Sequence, residues 1–271
     1  MQVRRASVAG QFYPADKEEL EREINKYIVK GKKENVKAGI VPHAGYVFSG
    51  KLTGEVFSKI KEKNTFIILG VNHYGIGEKI VFSERDFEIP LRIVKNNRAL
   101  GKRLFKKLEK DFDVEVNELA HEKEHSIEVE LPFLKKARIV PVLLQDLSYE
   151  ECKNLAEIIS EFISNDVGLI VSSDFTHYGF SYGFVPFTSN IKENIYKIDN
   201  KIIEKILMRN ASEVYKLASK TTVCGLYGIT IATKLANILN LKPQLVDYYT
   251  SGDIVGYGGG AVVGYAGLIF K

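Results

Sequence analysis

Three of the five histidines in this chain of 271 residues follow apolar segments directly. His43 comes after AGIVP, His73 after FIILGVN, and His177 after LIVSSDFT, and a glycine follows each within two residues. Such a glycine permits a sharp exit turn and close approach of the backbone to a ligand. Imidazole is the commonest metal ligand and titrates near neutral pH. The pattern therefore predicts one site where the three imidazoles converge.

Cys224 and Asp174 extend this pattern. Cys224 lies in TTVCGLYGIT, where Thr221 or Thr222 is a candidate helix N-cap, which would place the thiol in the first helical turn. A thiol at a helix N-terminus has a depressed pKa and is a better metal ligand or nucleophile. Asp174 precedes His177 by three residues. His177 is predicted to act as a general acid/base, and Asp174 is predicted to orient its ring or to favour its charged form.

The segment HEKEH at residues 121–125 matches the H-E-x-x-H signature of zinc proteases, in which both histidines share one helix face. Ser126 is a preferred N-cap, and periodic apolar residues begin only after it, so the predicted helix starts beyond the motif. The match is interpreted as accidental. His121 is predicted to lie in a loop, and His125 and Glu128 are predicted to lie at the rim of the site or behind its ligands.

A second motif, GYVFSGKL at residues 45–52, fits the phosphate-binding pattern G-x-x-x-x-G-K up to its last position. Leu52 stands where the pattern requires the Ser or Thr that binds magnesium. Thr53 comes one residue too late, a rotation of about 100° around a helix. The favoured interpretation is a glycine-rich turn from strand to helix, close to His43. Three polar neighbours of the histidines are predicted to line the pocket or support it: Tyr46, Asn72 and Tyr178.

Apolar runs alternate with amphipathic segments along the chain. Strands are predicted at 38–41, 65–70, 79–82, 138–144, 167–173, 244–249 and 262–269. Helices are predicted from the Asp16 cap to Tyr27, at 50–62, 98–110 and 149–164, twice across 190–218, and at 224–239. This alternation indicates a three-layer α/β fold, with a largely parallel or mixed central sheet covered by helices on both faces. Ligands bind beyond the carboxyl ends of such strands, where the three histidines lie.

The composition is ordinary for a globular protein, with 45% hydrophobic and 27% charged residues and a net charge of +4. The lysines alternate with glutamates, as in KKENVK and KEKN, which is typical of a solvated surface and disfavours nucleic-acid binding. No run approaches the roughly 18 to 20 apolar residues of a membrane span. Two cysteines indicate a reduced, cytoplasmic protein. With no repeat or linker, one domain over residues 1–271 is expected.

Several stretches, in order, resemble the Memo family, also called protein B of the AmmeMemoRadiSam system. They are RRASVAGQFYP, VPHAGYVFSG, ILGVNHYG, EHSIEVELPFL, SSDFTHYG, TVCGLYGIT and YYTSGD…VGYAG. The resemblance runs from residue 4 to near the end of the chain. It implies a fold similar to that of the class III extradiol (LigB-type) dioxygenases, which hold iron with two histidines and a glutamate.

By this resemblance, His43 and His73 correspond to the two histidine ligands, and His177, with Asp174 beside it, to the acid/base histidine. Cys224 stands where the dioxygenases have their glutamate ligand, a substitution that is itself a feature of Memo proteins. A thiolate shifts the preference of a site towards softer ions such as Cu(I) or Zn(II). The resemblance implies one metal ion, iron(II) or copper with zinc as an alternative, and dioxygenase-like redox chemistry on an unknown substrate.

Two other functions stay open at this point. The same cleft could bind a peptide, a phosphopeptide or a protein without catalysis, with AmmeMemoRadiSam proteins as candidate partners. Alternatively, Cys224 is a thiol nucleophile with His177 as its base and Asp174 as the orienting group. The first alternative needs no metal, and the second requires a depressed pKa at the thiol.

Overall fold

Apolar runs form the strands of this protein, and amphipathic segments form its helices. The computed structural model describes residues 3–271. The strands are β1 (Val3–Arg4), β2 (Ala38–Val41), β3 (Thr65–Val71), β4 (Ile80–Phe82), β5 (Asp86–Ile89), β6 (Arg92–Val94), β7 (Val114–Val116), β8 (Arg138–Leu144), β9 (Val167–Ser172), β10 (His177–Gly179), β11 (Pro243–Thr250) and β12 (Ala261–Phe270). The helices are α1 (Lys17–Tyr27), α2 (Tyr46–Lys59), α3 (Arg98–Leu108), α4 (Glu118–Glu122), α5 (Tyr149–Ser160), α6 (Ile191–Leu207), α7 (Ala211–Ala218), α8 (Leu226–Ile238) and α9 (Ser251–Val255). None of the helices in this described range is long and apolar enough to cross a membrane.

The main sheet is mixed, with a parallel centre. Its order is β10-β12-β2-β9-β3-β8-β4-β7, and β11 pairs with β12. The four central strands β2, β9, β3 and β8 run parallel, so that Leu69 of β3 lies opposite Val171 on one side and Val142 on the other. The outer partners β12 and β4 run antiparallel to this centre. All four central strands therefore end at one edge of the sheet.

Both faces of the central strands are covered by helices, which confirms the three-layer α/β fold. Along β3, Ile67 and Leu69 pack into a core that includes buried side chains of α3, α5, α6, α7 and α8. Phe66 and Ile68 point to the opposite core, which contains α1, α2 and the segment 127–134. Each fully buried side chain of this kind contributes about 1.5–3 kcal/mol. The alternation along one strand thus holds two helical layers on one rigid sheet.

Helix α2 begins earlier than predicted, at Tyr46 instead of residue 50, and ends at Lys59 instead of residue 62. The N-cap is Gly45, which has no side chain to accept a capping hydrogen bond, so the usual sequence signal of a helix start is absent there. In the structure Gly50 and Gly54 permit close packing on α1. A Cβ atom at Gly54 would lie 2.5 Å from the Tyr27 Cβ atom.

The phosphate-binding pattern at residues 45–52 does not form a phosphate loop. Only Gly45 precedes the helix, as its N-cap, and the rest of the motif lies within α2. Lys51 is exposed and pairs with Glu55 at 3.8 Å. The segment is thus a strand-to-helix turn followed by a packing helix, the interpretation favoured from the sequence.

A second, three-stranded sheet of order β1-β5-β6 was not predicted. Its strands are short, and β5 reads DFEI, which has two acidic residues in four. Helix α5 also stops at Ser160, four residues before the predicted end.

Candidate metal centre

The carboxyl ends of β2 and β3 bring two of the predicted ligands together. His43 lies two residues beyond β2 and His73 two residues beyond β3, and their ring centroids are 5.3 Å apart. The Cys224 Sγ atom lies 3.3 Å from His43 Nε2. One ligand atom from each of His43, His73 and Cys224 lies within 4.8 Å of the others. The structure therefore gathers side chains from three distant parts of the chain at one point.

Hydrogen bonds fix the tautomer of His43. Its Nδ1 atom is 2.8 Å from Ser172 Oγ. The Ser172 hydroxyl donates its own hydrogen to the carbonyl oxygen of Ser126. Because that hydroxyl has one hydrogen, Ser172 Oγ accepts from His43, and Nδ1 carries the proton. The lone pair of the neutral ring is then on Nε2, facing Cys224. Burial, and then the nearby His73, hold the pKa of His43 well below its ordinary value.

His73 is fixed in the same way by a carboxylate. Glu124 accepts from His73 Nδ1 at 2.9 Å and from the His73 backbone N–H at 2.8 Å. Burial alone would raise the pKa of Glu124, but its hydrogen bonds and the neighbouring imidazoles lower it to about 2. The ionised carboxylate keeps the proton on Nδ1 and leaves Nε2 free. Such a partner also fixes the orientation of an imidazole ligand.

Cys224 lies in a turn, not in the first turn of a helix as predicted. Helix α8 begins at Leu226 with Gly225 as its N-cap. Thr222, a predicted cap, instead accepts from the His177 backbone N–H at 2.8 Å and donates to the His177 carbonyl at 2.6 Å. Burial, followed by the charge of Asp174, raises the pKa of the thiol. The predicted depression of that pKa is wrong: Cys224 lies directly before the N-cap of α8, but burial and the charge of Asp174 have the larger effect.

The hydrogen of the neutral His177 ring lies on Nδ1, on the side away from the cleft. Its Nδ1 atom faces two carbonyl oxygens, of Phe175 at 2.9 Å and of Thr222 at 3.1 Å. Carbonyl oxygens only accept, so Nδ1 donates and Nε2 holds the lone pair. Nε2 lies 4.0 Å from Asp174 Oδ2, while Asp174 Oδ1 accepts from the His43 backbone N–H at 2.8 Å. His177 and Asp174 are thus adjacent, as predicted, and the Asp174 carboxylate also holds the backbone of the loop that carries His43.

His125 forms a wall beside the three ligands. It stacks on His73 with ring centroids 4.7 Å apart and contacts Phe12 at 4.8 Å. Burial, followed by the nearby His43, lowers the pKa of His125 to about 4. His73, Glu124 and His125 form a second group with ligand atoms within 4.8 Å. The Glu124 oxygens already accept several hydrogen bonds, two of them from His73, so this group is less suited to an ion.

The HEKEH motif does not have the zinc-protease geometry. His121 lies on the short helix α4, not in a loop, and is buried with Nε2 3.1 Å from the Val81 carbonyl. His125 lies beyond the end of that helix. Ser126 does not cap a helix. Its hydroxyl pairs with the backbone of Val71, and a 3₁₀ helix follows at Glu128–Phe133.

Three predicted supporting residues point away from the cleft. The buried Tyr46 hydroxyl donates to the Val129 carbonyl at 2.9 Å. The Tyr178 hydroxyl donates to the Phe187 carbonyl at 2.7 Å. Asn72 donates to the Ile76 carbonyl and so holds the turn after β3.

Glu128 also lies away from the ligands. It pairs with the buried Arg4 and accepts from the Tyr13 hydroxyl at 2.5 Å. Its function is to fix the N-terminal segment.

Glu124 and Ser172 were missed by sequence reasoning. Glu124 lies 51 positions from the histidine that it orients, and its carboxylate reaches that ring from outside any helix. Ser172 is the last residue of β9, 129 positions from His43. The pairing of β9 with β2 brings Ser172 to His43, and the hydrogen bonds of Ser126 to the Val71 backbone hold the loop of Glu124 beside His73. No local pattern signals either contact.

The cleft above these groups has a volume of about 540 Å³. Four aromatic side chains line it beside the histidines: Phe12, Phe48, Tyr182 and Tyr265. Tyr182 packs edge-on against His177 with ring centroids 4.9 Å apart. Among the lining residues in the described part of the chain there is no lysine or arginine.

The donor set fits a metal ion. Metal–nitrogen and metal–sulfur bonds of about 2.0–2.3 Å place neighbouring ligand atoms of a tetrahedral site roughly 3.3–3.8 Å apart. The distance of 3.3 Å between His43 Nε2 and Cys224 Sγ is in this range. Both imidazoles have their Nδ1 atoms in hydrogen bonds, which is the usual state of histidine ligands.

The fold and the cleft define an α/β protein with a candidate mononuclear metal site of two imidazoles and one thiol. The model of the Memo-like protein family matches residues 4–269. The chain therefore belongs to the Memo family, which confirms the resemblance seen in the sequence. A MEMO1 family protein of Thermococcus onnurineus is 36% identical over 293 residues, covering 99% of each chain. A MEMO1 family protein of Aquifex aeolicus is 36% identical over 283 residues, covering 100% of both.

Proposed function

We propose that this Memo-family protein binds one iron or copper ion through His43, His73 and Cys224 and carries out redox chemistry on a small molecule. The observation that carries the proposal is the paired orientation of the imidazoles. Ser172 and Glu124 occupy the Nδ1 atoms, so each ring offers its Nε2 lone pair next to the thiol. A site that only packed histidines would not need both lone pairs to be left free.

The donor set favours these metals over hard cations. Imidazole suits iron, copper and zinc, and a thiolate favours the softer of these ions. Iron or copper, when bound, supplies one-electron chemistry to a molecule in the cleft, which zinc does not. Three protein ligands leave further coordination positions for such a molecule. Zinc is the alternative result of a metal analysis.

His177 is the proposed acid/base. Its Nε2 lone pair can accept a proton from a substrate group in the cleft, and its Nδ1–H stays bound to the Phe175 and Thr222 carbonyls. Asp174, 4.0 Å from Nε2, stabilises the imidazolium that forms. Tyr182 packs against the His177 ring at an interplanar angle of 75° and so supports its orientation.

The lining of the cleft favours a small molecule over a phosphopeptide. A phosphate group carries at least one full negative charge and is usually bound by arginine or lysine. No such residue lines the cleft within residues 3–271, while four aromatic side chains do. The third hypothesis, a free thiol nucleophile, loses support because burial raises the pKa of Cys224.

Metal analysis of protein purified without air tests the proposal. Wild type is expected to hold one iron or copper ion per chain, and His43→Ala and Cys224→Ala are expected to lose it. Cys152→Ala is the matched control, because Cys152 is the other free cysteine and is buried within α5. A folded wild type that takes up neither Fe(II) nor Cu(I) would contradict the proposal. So would a Cys224→Ala variant that binds the ion as tightly as Cys152→Ala does.

A further inference from the structure

A second cavity lies at the opposite edge of the sheet from the histidines. It has a volume of about 590 Å³ and is lined by residues at the amino ends of β3 and β8, including Thr65 and Arg138. Strand β3 has seven residues, so the two edges are about 20 Å apart. This volume is in the range of small-molecule sites, about 300–1,000 Å³. The cavity is therefore a separate place where a ligand could bind.

The lining of this cavity is strongly basic. One acidic residue, Glu62, lines it together with six basic residues: Lys33, Lys61, Lys63, Lys135, Lys136 and Arg138. Glu62 is 3.9 Å from Lys33. The Lys63 ammonium group turns to the Asn165 carbonyl at 3.1 Å. The other four side chains have no carboxylate partner in the described part of the chain. Their charges are available to a ligand.

Two helix C-termini reduce this positive charge only slightly. Helices α1 and α2 end beside the cavity, at Tyr27 and Lys59, and Ile28 and Ile60 line it. Each helix end is equivalent to roughly half a negative charge. Together they offset about one unit, against the four unpaired cationic side chains. The cavity thus remains a site for a negatively charged group.

The inner wall of the cavity is apolar. Phe57 and Phe133 are almost fully buried and stack with ring centroids 5.8 Å apart and planes within 2°. Ile28 and Val29 continue this apolar wall outward, and Val29 is 52% exposed. The apolar area that faces water is therefore that of Ile28 and Val29. An inorganic anion would leave this area in contact with water, whereas an apolar body attached to the anion would cover it.

We propose that this cavity binds an amphiphilic anion, a carboxylate or phosphate ester attached to an apolar body. The anionic group contacts the lysines of residues 61 and 135–136, and the apolar body covers Ile28 and Val29. Two segments that are separate in the sequence, residues 61–63 and 135–138, supply the unpaired charge. Each resembles an ordinary solvated surface when considered alone. The site does not depend on the metal centre at the other edge.

Calorimetric titration of the full-length protein with three octyl compounds tests the ligand class. Octanoate and octyl phosphate are expected to bind, and the stronger of the two identifies the head group. Uncharged octanol is expected to bind at least about tenfold more weakly, because it lacks the charge. Equal binding of octanol and the anions would overturn the ionic part of the proposal. Inorganic phosphate that binds as well as octyl phosphate would overturn the apolar part.

Two variants assign the binding to this cavity. Lys135→Gln/Lys136→Gln is expected to weaken binding of the preferred anion about tenfold. Lys106→Gln/Lys110→Gln removes the same charge from exposed positions at the end of α3 and is expected to change it less than twofold. Val29→Glu places a carboxylate at the exposed mouth and should also weaken binding. If neither cavity variant differs from the α3 control, the proposal is wrong.

Discussion

At the scale of single residues, the proposed ligands depend on hydrogen bonds made on the side away from the cleft. Glu124 accepts both the Nδ1–H and the backbone N–H of His73, so it fixes the ring and the loop together. Ser172 fixes the ring of His43 through a neutral hydroxyl. A charged acceptor makes a stronger hydrogen bond than a neutral one. Glu124 is therefore the supporting residue with the larger expected effect.

Glu124→Gln is expected to weaken metal binding about 10- to 100-fold. The amide keeps the size of the side chain but removes the charge that favours Nδ1–H on His73. Competition with a chelator of known affinity measures the change, and thermal unfolding of the metal-free protein shows whether the fold is preserved.

Glu115→Gln is the control for that variant, since Glu115 accepts hydrogen bonds from Glu78 and Asn117 at a distance from the cleft. Its affinity is expected to equal that of wild type. A Glu124→Gln protein that shares this affinity would show that the carboxylate does not support the site.

At the scale of elements, the N-terminal segment is attached to the core by a buried ion pair. Arg4 is 1% exposed, pairs with Glu128 and donates to the Glu124 carbonyl at 2.7 Å. Glu128 also accepts from the backbone N–H of Ser7 at 2.9 Å. The same segment carries Phe12, which packs on His125 in the cleft. One ion pair thus supports a wall of the proposed site.

Glu128→Gln is expected to destabilise the protein by about 3–5 kcal/mol, because it leaves the buried Arg4 without its counter-charge. Urea unfolding measures this loss. Glu55→Gln breaks the exposed pair with Lys51 and is expected to cost less than about 1 kcal/mol. Equal losses in the two variants would mean that the buried pair does not anchor the segment.

The sequence predicted elements well where one pattern was strong. Strand β8 has the predicted bounds, 138–144, because RIVPVLL is nearly continuous and apolar. Asp16 caps α1 as predicted and accepts from the Glu19 N–H at 2.8 Å. The helix predicted beyond Ser126 is a 3₁₀ helix, Glu128–Phe133, with Pro132 inside it. The β5–β6 hairpin was missed because its strands are short and β5 has two acidic residues. Strand β1 was missed because it forms only by pairing with β5, which is distant in the sequence. Local propensity does not contain that information.

At the scale of the whole molecule, the sequence predicted where the site lies better than how it is built. Scarce histidines at strand ends indicated convergence, since parallel strands share their carboxyl edge. The raised pKa of Cys224 follows from burial, and the contribution of Glu124 follows from its hydrogen bonds to His73. Neither could be predicted, because both depend on contacts that exist only in the folded chain. The basic cavity was hidden for a related reason. Its lysines come from three loops that are adjacent only in the fold.

Asp199 links three parts of the molecule and couples its stability to pH. It is fully buried on α6, where it accepts from the hydroxyl groups of Thr176 at 2.5 Å and Tyr248 at 2.7 Å. A Cβ atom on Gly264 would lie 2.1 Å from its Oδ2, so β12 also packs tightly against it. Burial raises the pKa of Asp199 to about 6, although both hydroxyl hydrogen bonds lower it.

In the unfolded chain the Asp199 carboxyl has a pKa of about 3.9, so the folded state binds its proton more tightly. The contribution of this proton to the free energy of unfolding is fully present below about pH 4 and is lost as the pH rises through about 6. Asp199→Asn stays neutral, so it is expected to gain up to about 3 kcal/mol over wild type between about pH 4 and pH 8. Urea unfolding across this range measures the difference.

Asp111→Asn, at an exposed position, should follow wild type at every pH. If the stability of Asp199→Asn changes with pH in the same way as that of wild type and Asp111→Asn, the protonation of Asp199 is not coupled to folding.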